Sequence, residues 1–269
     1  MNCSIKRRIR ESSKFAIFIK KQHKTLTNDG GLNIIIRFGA IDAKWEAWAK
    51  EFFMFEYVTK AEYQPVREEL ERIINRVQKE MRTQYNTSFQ FRLIGSGKRH
   101  LITRVVNGNG GYDFDYNLIL PAPEEGYHYL ADVVKKQFIE SFKKALKGTK
   151  YSNPQDSTSA ITIKVVDKEN KKIEHSCDFA IIYYDEDRVE NGYYYLRNNK
   201  SQGNYSFEPR VLSRGIEEKL SEILEYQNGW NWIREEYLKL KNRNQDVNKH
   251  SFVLYLEAVS NVLNWINQG

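Results

Sequence analysis

The chain has 269 residues and a mass of 31.8 kDa, with 41% hydrophobic and 13% aromatic residues, enough to bury one large core or two small ones. No apolar run approaches the roughly eighteen residues that span a bilayer, and the N-terminal patch Phe15–Ile19 is too short for a signal-peptide core. Its two cysteines, Cys3 and Cys177, have the spacing of neither a disulfide framework nor a zinc site, so the expectation is a soluble cytoplasmic protein without membrane insertion.

The net charge of +7 resembles a nucleic-acid signature until it is located. Residues 1–28 carry Lys6, Arg7, Arg8, Arg10, Lys14, Lys20, Lys21 and Lys24 against Glu11 alone, which accounts for the whole excess. The rest is charge-neutral and gives no global electrostatic argument for polynucleotide binding. Residues 1–40 are therefore read as a basic N-terminal extension, either a lead-in to the globular part or an arm for RNA or lipid.

After the turn signal Asp29-Gly30-Gly31 and a β-branched run over Asn33–Arg37, apolar residues take helical spacing. Trp45, Trp48, Ala49, Phe52 and Phe53 form one stripe, and Val66, Leu70, Ile73, Ile74, Val77 and Met81 form a second just after Pro65. Both predict helices packed on a sheet. Ser88–Ile94 reads as the first core strand, Gly95 as a tight corner, and Ser96–Leu101 as a short helix with free N–H groups turned toward an anion. Lys98 and Arg99, with Arg104 as a further candidate, add positive charge there. A P-loop reading of this stretch fails, because Arg92 stands where the first glycine belongs and Arg99 follows Lys98 in place of Ser or Thr.

The loop Asn107–Gly111 leads into a strand over Tyr112–Leu120, stopped by Pro121 and Pro123. Successive strand side chains alternate between faces, so Asp113 and Asp115 share one face about 7 Å apart while Phe114 and Tyr116 point the other way. Two such carboxylates repel unless one is protonated or a cation lies between them, and hard oxygen donors suit Mg²⁺ held together with phosphates. A helix over 129–146 turns Val133, Val134, Phe138, Phe142 and Leu146 inward and Lys135, Lys136, Lys143, Lys144 and Lys147 outward. A hairpin joins 160–167 to 173–184; on its second strand Asp178 shares a face with Ser176 and Ala180 while Cys177 and Phe179 take the other. His175 and Cys177 are read as core filling rather than ligands. A third strand over Gly192–Arg197 precedes a polar loop, and apolar stripes at 212–223, 233–240 and 252–266 predict three final helices.

Gly95-Ser96 at a strand-to-helix corner, Asp113 and Asp115 on an Asp-x-Asp strand and Asp178 on a later strand resemble the DNA polymerase β-like nucleotidyltransferase superfamily, over roughly residues 45–195. The stretch between Ser96 and Asp113 is longer than in compact members, a lengthening similar to that in the oligoadenylate and cyclic-dinucleotide synthase branch. The resemblance implies an α/β (α+β) fold in which a mixed-sheet core over 41–204 is flanked by helices and closed by a C-terminal helical subdomain over 205–269. It further implies transfer of a nucleoside monophosphate from an NTP to a hydroxyl or phosphate acceptor with pyrophosphate leaving. Asp113, Asp115 and Asp178 would hold two Mg²⁺ ions, with Mn²⁺ as a substitute, and Asp178 would accept the proton of the attacking hydroxyl. Gly95, Ser96, Lys98, Arg99, Lys200, Ser201 and Tyr205 would bind the nucleotide. The acceptor stays open among a second nucleotide, RNA, a small molecule and a protein. Two other readings are a nucleotide or RNA sensor on the same fold, and an unrelated interaction protein whose aspartates are surface carboxylates.

Overall fold

The computed structural model describes residues 54–125, 127–185, 192–212, 215–246 and 248–268. The basic segment, the run Asn33–Arg37 and the helix expected at Trp45–Phe53 lie outside the described residues. The first described strand, β1 (Phe55–Tyr57), pairs antiparallel with β3 (Thr103–Val105), which lies inside the long stretch between the glycine corner and the Asp-x-Asp strand. Three-residue strands are too short to show a period, so neither is visible in the sequence pattern.

Helix α1 (Lys60–Tyr85) begins five residues before Pro65, earlier than the apolar stripe suggests. Its start is set by a capping box: the Thr59 hydroxyl accepts from the Glu62 N–H, and the Glu62 carboxylate accepts from the Thr59 N–H at 3.1 Å. Pro65 sits inside the helix and costs it one hydrogen bond. The helix buries Leu70, Ile73, Ile74, Val77 and Met81, so its inner stripe is the expected one.

The main sheet contains β2 (Gln90–Ile94), β4 (Tyr112–Leu120), β5 (Gln155–Asp156), β6 (Ile161–Asp167), β7 (Lys172–Tyr183), β8 (Gly192–Asn199) and β9 (Asn204–Val211). Its order is β2-β4-β7-β6-β5, with β8 pairing the far end of β7 and β9 pairing β8. Among the described strands of this sheet only β4 and β7 run parallel; the other pairs are antiparallel. The sheet is mixed, as expected.

Helices α1 and α3 (Ala131–Ala145) cover one face. There Phe114, Tyr116 and Leu118 of β4, Cys177, Phe179 and Ile181 of β7, and Ile161 and Ile163 of β6 meet Phe138 and Phe142 of α3, all 2% exposed or less. Burying side chains of this size is worth about 1.5–3 kcal/mol each, so this layer sets which face of every strand turns inward. His175 is buried against the Tyr151 hydroxyl at 3.0 Å and Cys177 is a buried free thiol, consistent with core filling.

One helix face differs from expectation. Lys135 is not solvated: it is 1% exposed, pairs with Asp156 at 3.0 Å and donates to the Ala160 carbonyl at 2.9 Å, while Val133 is 41% exposed. The apolar stripe of α3 is thus rotated slightly, because β5 brings an acid over the lysine. The boundary expected at residue 205 also moves, since β9 keeps residues 204–211 in the sheet through its pairing with β8.

The last three helices are α4 (Ile216–Leu224), α5 (Gly229–Arg243) and α6 (Ser251–Gln268), which surround a second core of Ile223, Ile233, Tyr237, Leu254, Ala258, Val259 and Val262. Leu101, just past the glycine corner, inserts into this core. The bundle is tied to β1 and β3 by Asn242, whose side chain bonds both the N–H and the carbonyl of Phe55, and by the Tyr57 hydroxyl, which donates to the Arg234 carbonyl at 2.7 Å.

The entry to β4 depends on Gly111, whose φ is +64° and where a β-carbon would lie 2.3 Å from the Glu174 carbonyl oxygen; at Gly110 a β-carbon would meet nothing within 4 Å. Gly111→Ala is expected to lose about 2 kcal/mol or more in urea unfolding, and Gly110→Ala to stay within about 0.5 kcal/mol of the parent. Equal effects of the two substitutions would refute this account of the turn.

Candidate active site

The sheet face opposite α1 and α3 carries the acids. Parallel register sets Asp115 directly beside Asp178 and Asp113 beside Ser176, on strands about 4.8 Å apart. Two of the three sequence-predicted aspartates are therefore cross-strand neighbours, and the third lies two residues away on the same face. Asp113 and Asp178 are exposed, and Asp115 between them is half-buried.

The chain supplies hydroxyl donors to these acids. Ser176 donates to Asp113, and Thr162, opposite Asp178 on β6, donates to the Asp178 Oδ1. Ser157 in turn lies 2.8 Å from the Thr162 hydroxyl. Nothing in the local sequence marks Thr162 or Ser157, because only the β6–β7 register brings them to Asp178.

Like charges and burial act together here. Burial, then Asp178, then Asp113 push the Asp115 carboxyl up to about 6. Asp178 is raised as well, by burial first and by Asp113, against the Thr162 hydrogen bond that favours its charged form.

Gly95 closes the site from β2. Ile94 pairs with Asp115, the chain turns at Gly95 with φ +61°, and a β-carbon there would lie 2.5 Å from the Asp115 Oδ2. The following helix, α2 (Gly95–Lys98), is one turn long and ends sooner than the expected Ser96–Leu101. Gly97 is buried against Leu93 and Phe114, and the Ser96 carbonyl accepts from the Leu101 N–H at 2.9 Å. Backbone thus lies against the acids where any other residue at position 95 would collide.

Lys241 of α5, a residue without a motif, is the bundle's contribution. Its ammonium donates to the Thr103 hydroxyl at 2.7 Å and lies 4.3 Å from the centre of the Phe55 ring. Burial pushes it down to about 8, with Asp113 pulling the other way, so it is close enough to sense the acids.

The remaining expected residues are placed elsewhere. Arg99 turns to the bundle: Nη1 donates to the Gly95 carbonyl at 3.0 Å and the guanidinium lies over Tyr255 at 4.6 Å and Phe252 at 5.2 Å. Lys98 is exposed beside it. Arg104 is held by Glu56 at 2.7 Å and Glu62 at 2.8 Å, so its charge is already matched. Lys200 and Ser201 occupy the exposed turn of the β8–β9 hairpin. The Tyr205 hydroxyl donates to Asp156 at 2.6 Å, and Asp156 shares the helix-covered face with Ile161, away from the acids.

Among the described residues no three Asp, Glu, His or Cys side chains are gathered tightly enough to form a ready metal-ligand group. The donor set nevertheless fits a hard divalent cation: it is all carboxylate oxygen, and it carries mutual repulsion that a cation would relieve.

No protein-family model matches the sequence, and no curated protein matches it. Solved structures do. A Vibrio cholerae di-nucleotide cyclase (DncV) structure with ATP and GTP superposes with a TM-score of 0.53 at 10% identity, over 80% of this chain and 71% of that one. The same organism's DncV, described as a cyclic AMP-GMP synthase and prokaryotic cGAS homolog, gives 0.50 at 11% identity over 80% and 69%. The Bradyrhizobium diazoefficiens CD-NTase CdnG in complex with GTP gives 0.43 at 12% identity, over 65% of this chain; this chain spans 44% of that one. The Gly-Ser corner, the Asp-x-Asp strand and the later aspartate therefore stand on an α+β fold similar to that of the two DncV structures.

Proposed function

We propose that the chain is a metal-dependent nucleotidyltransferase that moves a nucleoside monophosphate from an NTP to an acceptor hydroxyl. The observation that carries this reading is the β4–β7 register, which sets Asp115 beside Asp178 under Gly95 with Asp113 two residues before it. The acceptor is proposed to be a second nucleotide, a choice supported by the synthase structures of the same fold and by the charge-neutral body.

Asp113, Asp115 and Asp178 would hold two divalent ions, Mg²⁺ or Mn²⁺, which when bound neutralise the triphosphate and lower the pKa of the attacking hydroxyl. The chain's own groups do the rest. Backbone N–H groups at Gly95 and Ser96 and the Ser96 hydroxyl would hold the triphosphate tail, while Lys241 would add a cation from the opposite lobe. As the acceptor oxygen bonds to the α-phosphorus, the bond to pyrophosphate breaks and the acceptor proton passes to Asp178. A carboxyl raised by burial is a better proton acceptor than an ordinary aspartate, and the Thr162 hydroxyl fixes one of its oxygens. In-line transfer of this kind depends on positioning and charge neutralisation, so no nucleophilic Ser or Cys is needed.

Incubating the chain with each labelled NTP and Mg²⁺ or Mn²⁺, alone and in pairs, should give pyrophosphate and linear or cyclic oligonucleotides resolved by mass. Asp113→Ala and Asp115→Ala should reduce turnover by about 10³-fold or more with the circular dichroism spectrum unchanged. Unaltered turnover in either variant would refute the assignment, and NTP binding without any metal-dependent turnover would favour the sensor reading. Lys241→Met should raise KM for the NTP roughly tenfold, about 1.4 kcal/mol of lost phosphate binding.

Asp115 also makes a stability prediction for the metal-free protein. Its folded-state carboxyl titrates near 6 against an ordinary 3.8, so the native state keeps a proton that the unfolded state has lost between those values. Wild-type stability therefore falls as pH rises through that window, and the penalty is complete above it. Asp115→Asn should stabilise the protein by about 1–3 kcal/mol at pH 8, with the gain vanishing near pH 4. Denaturant melts at the two pH values read this directly, and a gain independent of pH would contradict it.

A further inference from the structure

We propose that a cavity on the bundle side of the glycine corner is a second ligand site, for a small planar aromatic anion. The cavity measures about 230 Å³ and lies between the end of α2 and helices α4, α5 and α6; Asp113, Asp115, Asp178, Gly95 and Ser96 are not among its walls. Lys98 and Arg99, expected from sequence to serve the triphosphate, line it instead.

Charge and shape together define the ligand. Lys98 and Arg99 face one acid, Glu217 of α4, so these three side chains leave the cavity net positive. No hydrogen bond or ion pair joins the exposed Lys98 ammonium to a described residue. Arg99 is held in place by its bond to the Gly95 carbonyl and its stacking on Tyr255, which leaves most of its five donors for a guest. Trp230 and Tyr255 form aromatic walls, with Ile216 beside them. A bare oxyanion would use the cations and leave this ring surface idle; an apolar ring would use the surface and leave the cations idle. A volume below the usual range of roughly 300–1,000 Å³ for larger ligands limits the guest to about one ring with one acidic group.

Phenyl phosphate titrated into the full chain, followed by ligand-observed NMR or calorimetry, tests the site without reading any turnover, so its outcome is independent of the nucleotidyltransferase assignment. The expected result is saturable binding that weakens about tenfold or more in Lys98→Glu and in Trp230→Ala, with inorganic phosphate at least about tenfold weaker than phenyl phosphate. Lys241→Met, which alters the aspartate cleft, should leave this binding unchanged. Since Trp230 is half-buried in the bundle, the exposed Lys98→Glu change is the deciding variant if Trp230→Ala unfolds. Absence of saturation, loss of binding in Lys241→Met with retention in Lys98→Glu, or inorganic phosphate binding as tightly as phenyl phosphate would overturn the proposal.

Discussion

The parallel pairing of β4 with β7 is the constraint on which the candidate site depends. It sets Phe114 beside Cys177 and Tyr116 beside Phe179 on the helix-covered face, and by the alternation of strand side chains it sets Asp115 beside Asp178 on the other. A slip of one residue would drive the acids under α1 and α3 and put the aromatic rings in water. Apolar burial on one face therefore enforces carboxylate crowding on the other, and the fold tolerates that repulsion because the opposite layer is so well packed.

The bundle contributes by fixing the corner. Leu101 sits in its core, Arg99 stacks on its aromatic residues, and Arg234 donates to the His100 carbonyl at 2.6 Å. Three consecutive positions just after α2 are thus held from the far side, while Gly95 is pressed against Asp115 from the near side. The same contacts carry Lys241 to Thr103, so one rigid attachment positions both the backbone corner and the cation of the opposite lobe. Arg99 illustrates how a residue chosen for charge can be committed to packing: a guanidinium is planar and weakly hydrated, and it lies well on rings.

Much of this is legible in the sequence where a period or a special residue marks it. The alternation in Tyr112–Leu120 and in the strand through Asp178 gives both the sheet and the face of the acids, and Gly95 marks a corner that the structure shows no side chain could fill. Lys135 is misjudged because helical spacing says which residues share a face but not which acid a distant strand will lay over it. The hydrogen bond of Tyr205 is hidden for a related reason: a hairpin strand of eight residues reads as a loop when Asn198–Asn204 is rich in polar side chains, and the Tyr205 partner, Asp156, is 49 positions away. Thr162, Ser157 and Lys241 carry no local signal at all; their importance comes wholly from register and docking.

Those hydroxyls resolve a difficulty in the site itself. Three acids on one face with no cation would be costly if their oxygens had no donors, yet Ser176 serves Asp113 and Thr162 serves Asp178. A hydrogen bond to a charged group is worth about 1.5–3 kcal/mol, so two such bonds offset much of the repulsion. Each carboxylate offers about four lone-pair positions, and one hydroxyl occupies only one of them. The donors can therefore hold the side chains in place and still leave oxygen for a cation. Among the described residues no side-chain hydroxyl donates to Asp115, which is pressed by the Gly95 backbone and is the acid raised to about 6. It is the member of the group with most to gain from a positive charge, because burial and both neighbouring carboxylates act on it together.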